Sequence, residues 1–71
     1  MSKNPPTVAE IVYERVITKT GRRVLDLAVE VGAGRVVLRG RTKSFHVKQL
    51  AQHGAWEVLP NVCLENAIVV E

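Results

Sequence analysis

The sequence predicts an α+β domain in the order α-β-β-α-β, with two helices packed on one face of a three-stranded mixed sheet. Three observations predict it. A capping box at Thr7 opens an apolar stripe at helical spacing. Two alternating runs flank Gly32-Ala33-Gly34. A second helical stripe, begun at Ser44 and stopped at Pro60-Asn61, is followed by a third alternating run.

The first helix starts where Thr7-Val8-Ala9-Glu10 lets a threonine oxygen and a glutamate carboxylate satisfy each other's backbone amides. Residues 1–6, with Pro5-Pro6, read as a flexible lead-in held extended ahead of it. Val8, Ile11, Val12 and Val16 form the inward stripe. Their β-branching lowers intrinsic helix propensity, so packing must hold this helix. Lys19 suits the C-terminal dipole, and Gly21 suits the C′ position.

Residues 23–31 alternate. Leu25, Leu27, Val29 and Val31 share the face expected to be buried, and Val24, Asp26, Ala28 and Glu30 share the other. The next strand sets Val36, Leu38, Gly40 and Thr42 inward and Arg35, Val37, Arg39 and Arg41 outward. Two hairpin registers keep the apolar faces together. An Ala33-Gly34 loop pairs Gly32 with Arg35 and sets Asp26 opposite Arg41. A Gly32-Ala33 loop sets Val29 opposite Val36 and Asp26 opposite Arg39. A three-residue loop would set Val31 against Arg35 and mix the faces.

The second helix is predicted over residues 44–58, with Ser44 as N-cap and Val47, Leu50, Ala51, Ala55 and Val58 inward. Gly54 is an awkward helix-interior residue, costing about 1 kcal/mol relative to alanine. The last strand, residues 62–70, has Val62, Leu64, Ile68 and Val70 on the apolar face together with Asn66. The open sheet face is then expected to carry Val24, Ala28, Val37, Ala67 and Val69 among Asp26, Glu30, Arg39, Arg41 and Glu65.

With 71 residues and one cysteine, the chain has room for one core and no intrachain disulfide to brace it. The core must be aliphatic, because Tyr13, Phe45 and Trp56 are the only aromatics. The net charge of +3 is unevenly spread: residues 35–48 carry Arg35, Arg39, Arg41, Lys43 and Lys48 with no acid. Such a stretch either attracts an anionic surface or is a solvated face balanced by neighbouring acids. No run resembles a secretory leader or a bilayer span, so the chain as written reads as soluble and cytoplasmic, or periplasmic if it is a processed or excised domain.

The sequence offers little for reaction chemistry. His46 and His53 are seven residues apart, roughly 10 Å by helical rise, too far to chelate one ion. Cys63 stands in no nucleophile motif, and the acids form no pair suited to general acid–base work. Gly32-Ala33-Gly34 joins two strands, whereas a phosphate-binding loop leads into a helix. No catalytic residue, metal site or cofactor is expected, and the chain reads as a non-enzymatic binding module. Trp56 reads either as a core-edge aromatic or as an interfacial anchor.

The stretch Val29–Val70 also resembles the BON domain, a bacterial module. Gly34 stands at that family's turn-ending glycine, and Val36, Leu38, Gly40 and Ser44 stand at its following V-x-L-x-G-x-V-x-S positions, with Thr42 replacing the usual valine. Ala51 and Ala55 match its paired helix alanines, and Leu64, Asn66, Ile68 and Val70 match its closing V-x-N-x-I-x-V. The V-x-G-V turn is represented by Val58 and Pro60, with proline at the glycine site and Asn61 at the second valine. The resemblance implies one BON-like domain over residues 7–71. It also implies that Gly40 permits a close approach or a special dihedral, and that Asn66 is a structural polar residue bonded to backbone. BON domains are generally taken to bind membrane surfaces or ligands.

Three partner classes follow. An anionic phospholipid surface would meet Arg39, Arg41, Lys43 and Lys48, with Trp56 as a further contact. A protein partner or a second copy, giving a homo-oligomer, would use the open sheet face and an edge strand. Nucleic acid ranks last, because the strands lack aromatics for base stacking and no helix-linking G-x-x-G loop is present.

Overall fold

The computed structural model describes residues 5–71. The first four residues of the expected lead-in lie outside that range, and Pro5 and Pro6 are exposed without regular structure. The elements are α1 (Val8–Thr20), β1 (Leu25–Gly32), β2 (Arg35–Thr42), α2 (Phe45–Val58) and β3 (Cys63–Val70). The sheet order is β1-β2-β3, antiparallel between β1 and β2 and parallel between β2 and β3. Helix α2 makes the crossover. Helix α1 packs on β1, α2 packs on β3 and β2, and the helices pack on each other.

Local chemistry sets the helix ends as the sequence implies. The Glu10 amide donates to Thr7 Oγ1 at 3.1 Å, and the Thr7 amide donates to Glu10 Oε1 at 3.4 Å. Gly21 takes φ 63°, and the Gly21 and Arg22 amides donate to the carbonyls of Thr18 and Ile17. That pair of bonds is a Schellman motif, and it closes α1. Ser44 Oγ accepts from the Val47 amide at 3.3 Å and caps α2.

The hairpin takes the Ala33-Gly34 loop, with Gly32 opposite Arg35, Val31 opposite Val36 and Val29 opposite Leu38. Gly34 supplies the positive φ (68°) that the turn requires. Beyond Ala28 the alternation breaks. Ala28 pairs with Arg39 and Leu25 with Arg41, so Asp26 and Leu27 together face Gly40 in a β-bulge. Asp26 sits at φ 54°, a left-handed conformation that an aspartate tolerates better than most residues.

The bulge corrects two expectations. Leu25, expected in the core, is 50% exposed, whereas Val24, expected on the open face, is 5% exposed and belongs to the core. One extra residue reverses the facing of everything before it. Gly40 makes the bulge possible. A Cβ there would lie 2.7 Å from Val24 Cγ1 and 2.9 Å from the Leu25 carbonyl oxygen, so only glycine lets β1 cross this closely.

The core comprises Val12, Val16, Val24, Val36, Leu38, Val47, Ala51, Ala55 and Ile68, with Leu27, Val29, Val58, Leu59, Val62 and Leu64 partly buried around it. No aromatic residue belongs to it. The α1 stripe is shifted from the expected one: Val12, Val16 and Thr20 are buried, while Val8 and Ile11 remain 46% and 43% exposed. A three-stranded sheet is too narrow to cover a broad stripe on both helices. The buried Thr20 hydroxyl is satisfied within its own helix, donating to the Val16 carbonyl at 2.7 Å.

Gly54 is explained by the helix contact. A Cβ on it would lie 3.2 Å from Lys19 Cβ and 3.4 Å from the Arg15 carbonyl oxygen. Lost helix propensity is exchanged for close packing of α2 on α1. Outside this contact, Glu57 accepts from Arg15 Nη1 at 2.8 Å and from Lys19 Nζ at 2.7 Å. These bonds hold the Glu57 carboxyl below its ordinary pKa, the Lys19 bond contributing most.

Candidate functional site

The open face presents β2 as a central column of arginines with acids on either side. Arg39 Nε donates to Glu30 Oε2 at 3.1 Å, across to β1. Arg35 pairs with Glu65 on β3. Arg41 donates to Asp26 Oδ2 at 2.7 Å and lies 3.6 Å from Glu71 Oε2. The Arg41 pKa is raised, first by the hydrogen bond to Asp26 and then by that carboxylate's charge. With three arginines against Asp26, Glu30, Glu65 and Glu71, the formal charge of this face is −1. Val37, central in this column, is buried although it points away from the helices. It stands level with Glu30 and Glu65 and between Arg35 and Arg39, so the stems of the ion pairs cover it.

The candidate binding residues are therefore not gathered at one place. Arg39 and Arg41 belong to the neutralised open face. Lys48 and Trp56 lie on α2, in the layer on the other side of the sheet. The Lys48 side chain is half-buried, and its carbonyl accepts from Asn66 Nδ2 at 2.9 Å. Trp56 is 39% exposed and meets the His53 ring edge-on, with centroids 6.4 Å apart. Lys43 lies in the short connection between β2 and α2.

Lys43 has company that the sequence reading did not single out. Arg23, Leu25, Thr42, Lys43, Ser44 and Val47 line a shallow concavity of about 320 Å³. Arg22 directly precedes Arg23 and, like it, is exposed. Among the described residues, Arg22, Arg23 and Lys43 enter no ion pair, whereas Arg35, Arg39 and Arg41 all do. Two apolar side chains flank this end: Leu25, turned outward by the bulge, and Phe45, the first residue of α2 and 62% exposed. The available signal was the Arg22-Arg23 pair after the helix-closing Gly21. The outward turn of Leu25 left no signal in the alternation.

The remaining candidates are structural in their surroundings. Asn66 lies on the helix-covered face, donating to the Lys48 carbonyl and to Gln52 Oε1 and accepting from the Ile68 amide at 3.3 Å. It thereby ties β3 to α2. His46, His53 and Cys63 are exposed. Among the described residues, no group of three or more His, Cys, Asp or Glu side chains is placed to hold a metal, and no helix is long and apolar enough to cross a membrane. Comparisons with protein-family models, curated proteins and solved structures gave no match.

Proposed function

We propose that the domain is a non-enzymatic docking module for anionic phospholipid surfaces, with contact made by the end that carries Arg22, Arg23 and Lys43. The observation that carries this reading is the division of the cations. The open-face arginines are each matched by an acid, while these three stand unpaired beside exposed Leu25 and Phe45. Unpaired cations give a surface its attraction for headgroups, and adjacent apolar side chains give it a foothold at the interface. The resemblance of residues 29–70 to BON domains supports the same partner class. The contact differs from the one expected from charge order along the chain, since Arg39 and Arg41 are already engaged and Lys48 and Trp56 lie elsewhere.

Co-sedimentation with phosphatidylcholine vesicles, with and without phosphatidylglycerol, tests it. Binding is expected only to the anionic vesicles and weakens as salt rises. At about 1 kcal/mol per cation near the surface, replacing Arg22, Arg23 and Lys43 with glutamine should weaken binding roughly 100-fold, whereas Arg39→Gln should change it less than about threefold. Failure to bind anionic vesicles at low salt would exclude this function. Equal losses in the two variants would exclude this end as the contact.

A further inference from the structure

We infer that the end bearing Arg22, Arg23 and Lys43 inserts Leu25 and Phe45 between lipid headgroups, so that the domain prefers anionic membranes with packing defects, as on strongly curved surfaces, to flat ones of equal charge. The inference rests on the docking reading above and adds which kind of bilayer it selects.

The fold holds these apolar side chains outward. Leu25 opens β1 directly after Val24, which is 5% exposed and belongs to the core. Arg22 and Asp26, at φ 61° and 54°, bracket the segment. With Val24 buried between these two left-handed residues, Leu25 cannot turn inward unless Val24 turns out. Three elements bring apolar side chains to this end. Strand β1 starts at Leu25 and α2 starts at Phe45, the most exposed large apolar side chain among the described residues. Val70, the last residue of β3, is paired with Thr42 and is 37% exposed.

The shallow concavity is walled by Leu25 and Val47, is lined also by Arg23 and Lys43, and includes no carboxylate. At about 320 Å³ it is small for a ligand site and has room for the upper part of one acyl chain, not for a whole lipid.

Charge and insertion answer to different properties of a bilayer. The three cations respond to surface charge, at roughly fivefold in affinity each. Leucine and phenylalanine respond to whether hydrocarbon can be reached between headgroups, and packing defects expose it. Durable attachment ordinarily takes two such signals. The β-bulge thus supplies the second one, by setting an apolar side chain beside the unpaired cations.

Vesicles of one phosphatidylcholine and phosphatidylglycerol composition, made small by sonication or large by extrusion, separate the two contributions. Lipid for lipid, the chain is expected to bind the small vesicles about fivefold more tightly. Leu25→Thr combined with Phe45→Gln should remove that preference, with circular dichroism matching the unsubstituted chain. Replacing Arg22, Arg23 and Lys43 with glutamine should weaken binding to both sizes alike. Depth gives an independent readout. Trp56 lies about three turns along α2 from Phe45, so bromine-labelled acyl chains should leave its fluorescence unquenched. Phe45→Trp in a Trp56→Phe background should be quenched. Binding without a size preference and without quenching at position 45 overturns the insertion and leaves the docking reading standing. Quenching at Trp56 but not at position 45 overturns it by placing another surface on the membrane. No binding to either vesicle at low salt overturns both readings.

Discussion

The two faces of the sheet are built on different physics. The helix-covered face is aliphatic and closely packed, and its buried polar residues, Thr20 and Thr42, are uncharged. The open face is an array of exposed ion pairs around one buried valine. Exposed pairs contribute little to stability, about 0–1 kcal/mol each, because water screens both charges. A buried branched side chain contributes several times that. Stability therefore resides on the covered face. The other face adds little to it, and its arginines are taken up by neighbouring acids.

Three measurements would break or sharpen this contrast. The largest effect is expected at Leu38, which points from β2 into the core and is fully buried. Leu38→Ala should cost about 3 kcal/mol in urea denaturation, enough to leave a domain this small marginally folded. A loss below about 1 kcal/mol would mean that the covered face does not carry the fold.

Next is Gly40, where the bulged strand crosses β2. Gly40→Ala places a Cβ within 2.9 Å of the Leu25 backbone oxygen, which cannot rotate away. A loss of about 2 kcal/mol is expected, together with a changed environment for Val24 and Leu25 in amide and methyl spectra. A neutral substitution would show that the bulge relaxes without cost.

The smallest effect concerns charge. The folded pKa of Glu57 lies below its ordinary value, so the stability it contributes is present above the unfolded pKa and is lost as pH falls through the folded one. Glu57→Gln should lower the melting temperature slightly at neutral pH. The difference from the unsubstituted chain should shrink as pH falls through the depressed folded pKa of Glu57, where both side chains become neutral. A constant difference across that range would assign the role of Glu57 to packing instead of charge.

Much of the architecture could be read in the residues. Thr7 and Glu10 close a capping box because their partners lie three positions apart, and Gly21 closes α1 through bonds that span one turn. The Ala33-Gly34 hairpin keeps like faces together because strand alternation allows few alternatives. The candidate contact was harder to read. Arg39 and Arg41 lie in a run of the chain with no acid, yet their acids come from β1 and from the end of the chain. Charge order along the chain does not report neighbours across strands. Leu25 and Val24 exchanged places because a bulge inserts one residue without disturbing the composition around it.

The sequence alone determined the order of elements and their capped ends and narrowed the hairpin to two loops, since each rests on hydrogen bonds or periodicities spanning a few residues. Tertiary structure decided which arginines are neutralised, why Gly40 must lack a side chain, why Gly54 lies tightly against α1, and what Asn66 holds together. Each of those depends on atoms brought close by the fold from distant parts of the chain, and neither spacing nor composition encodes such distances.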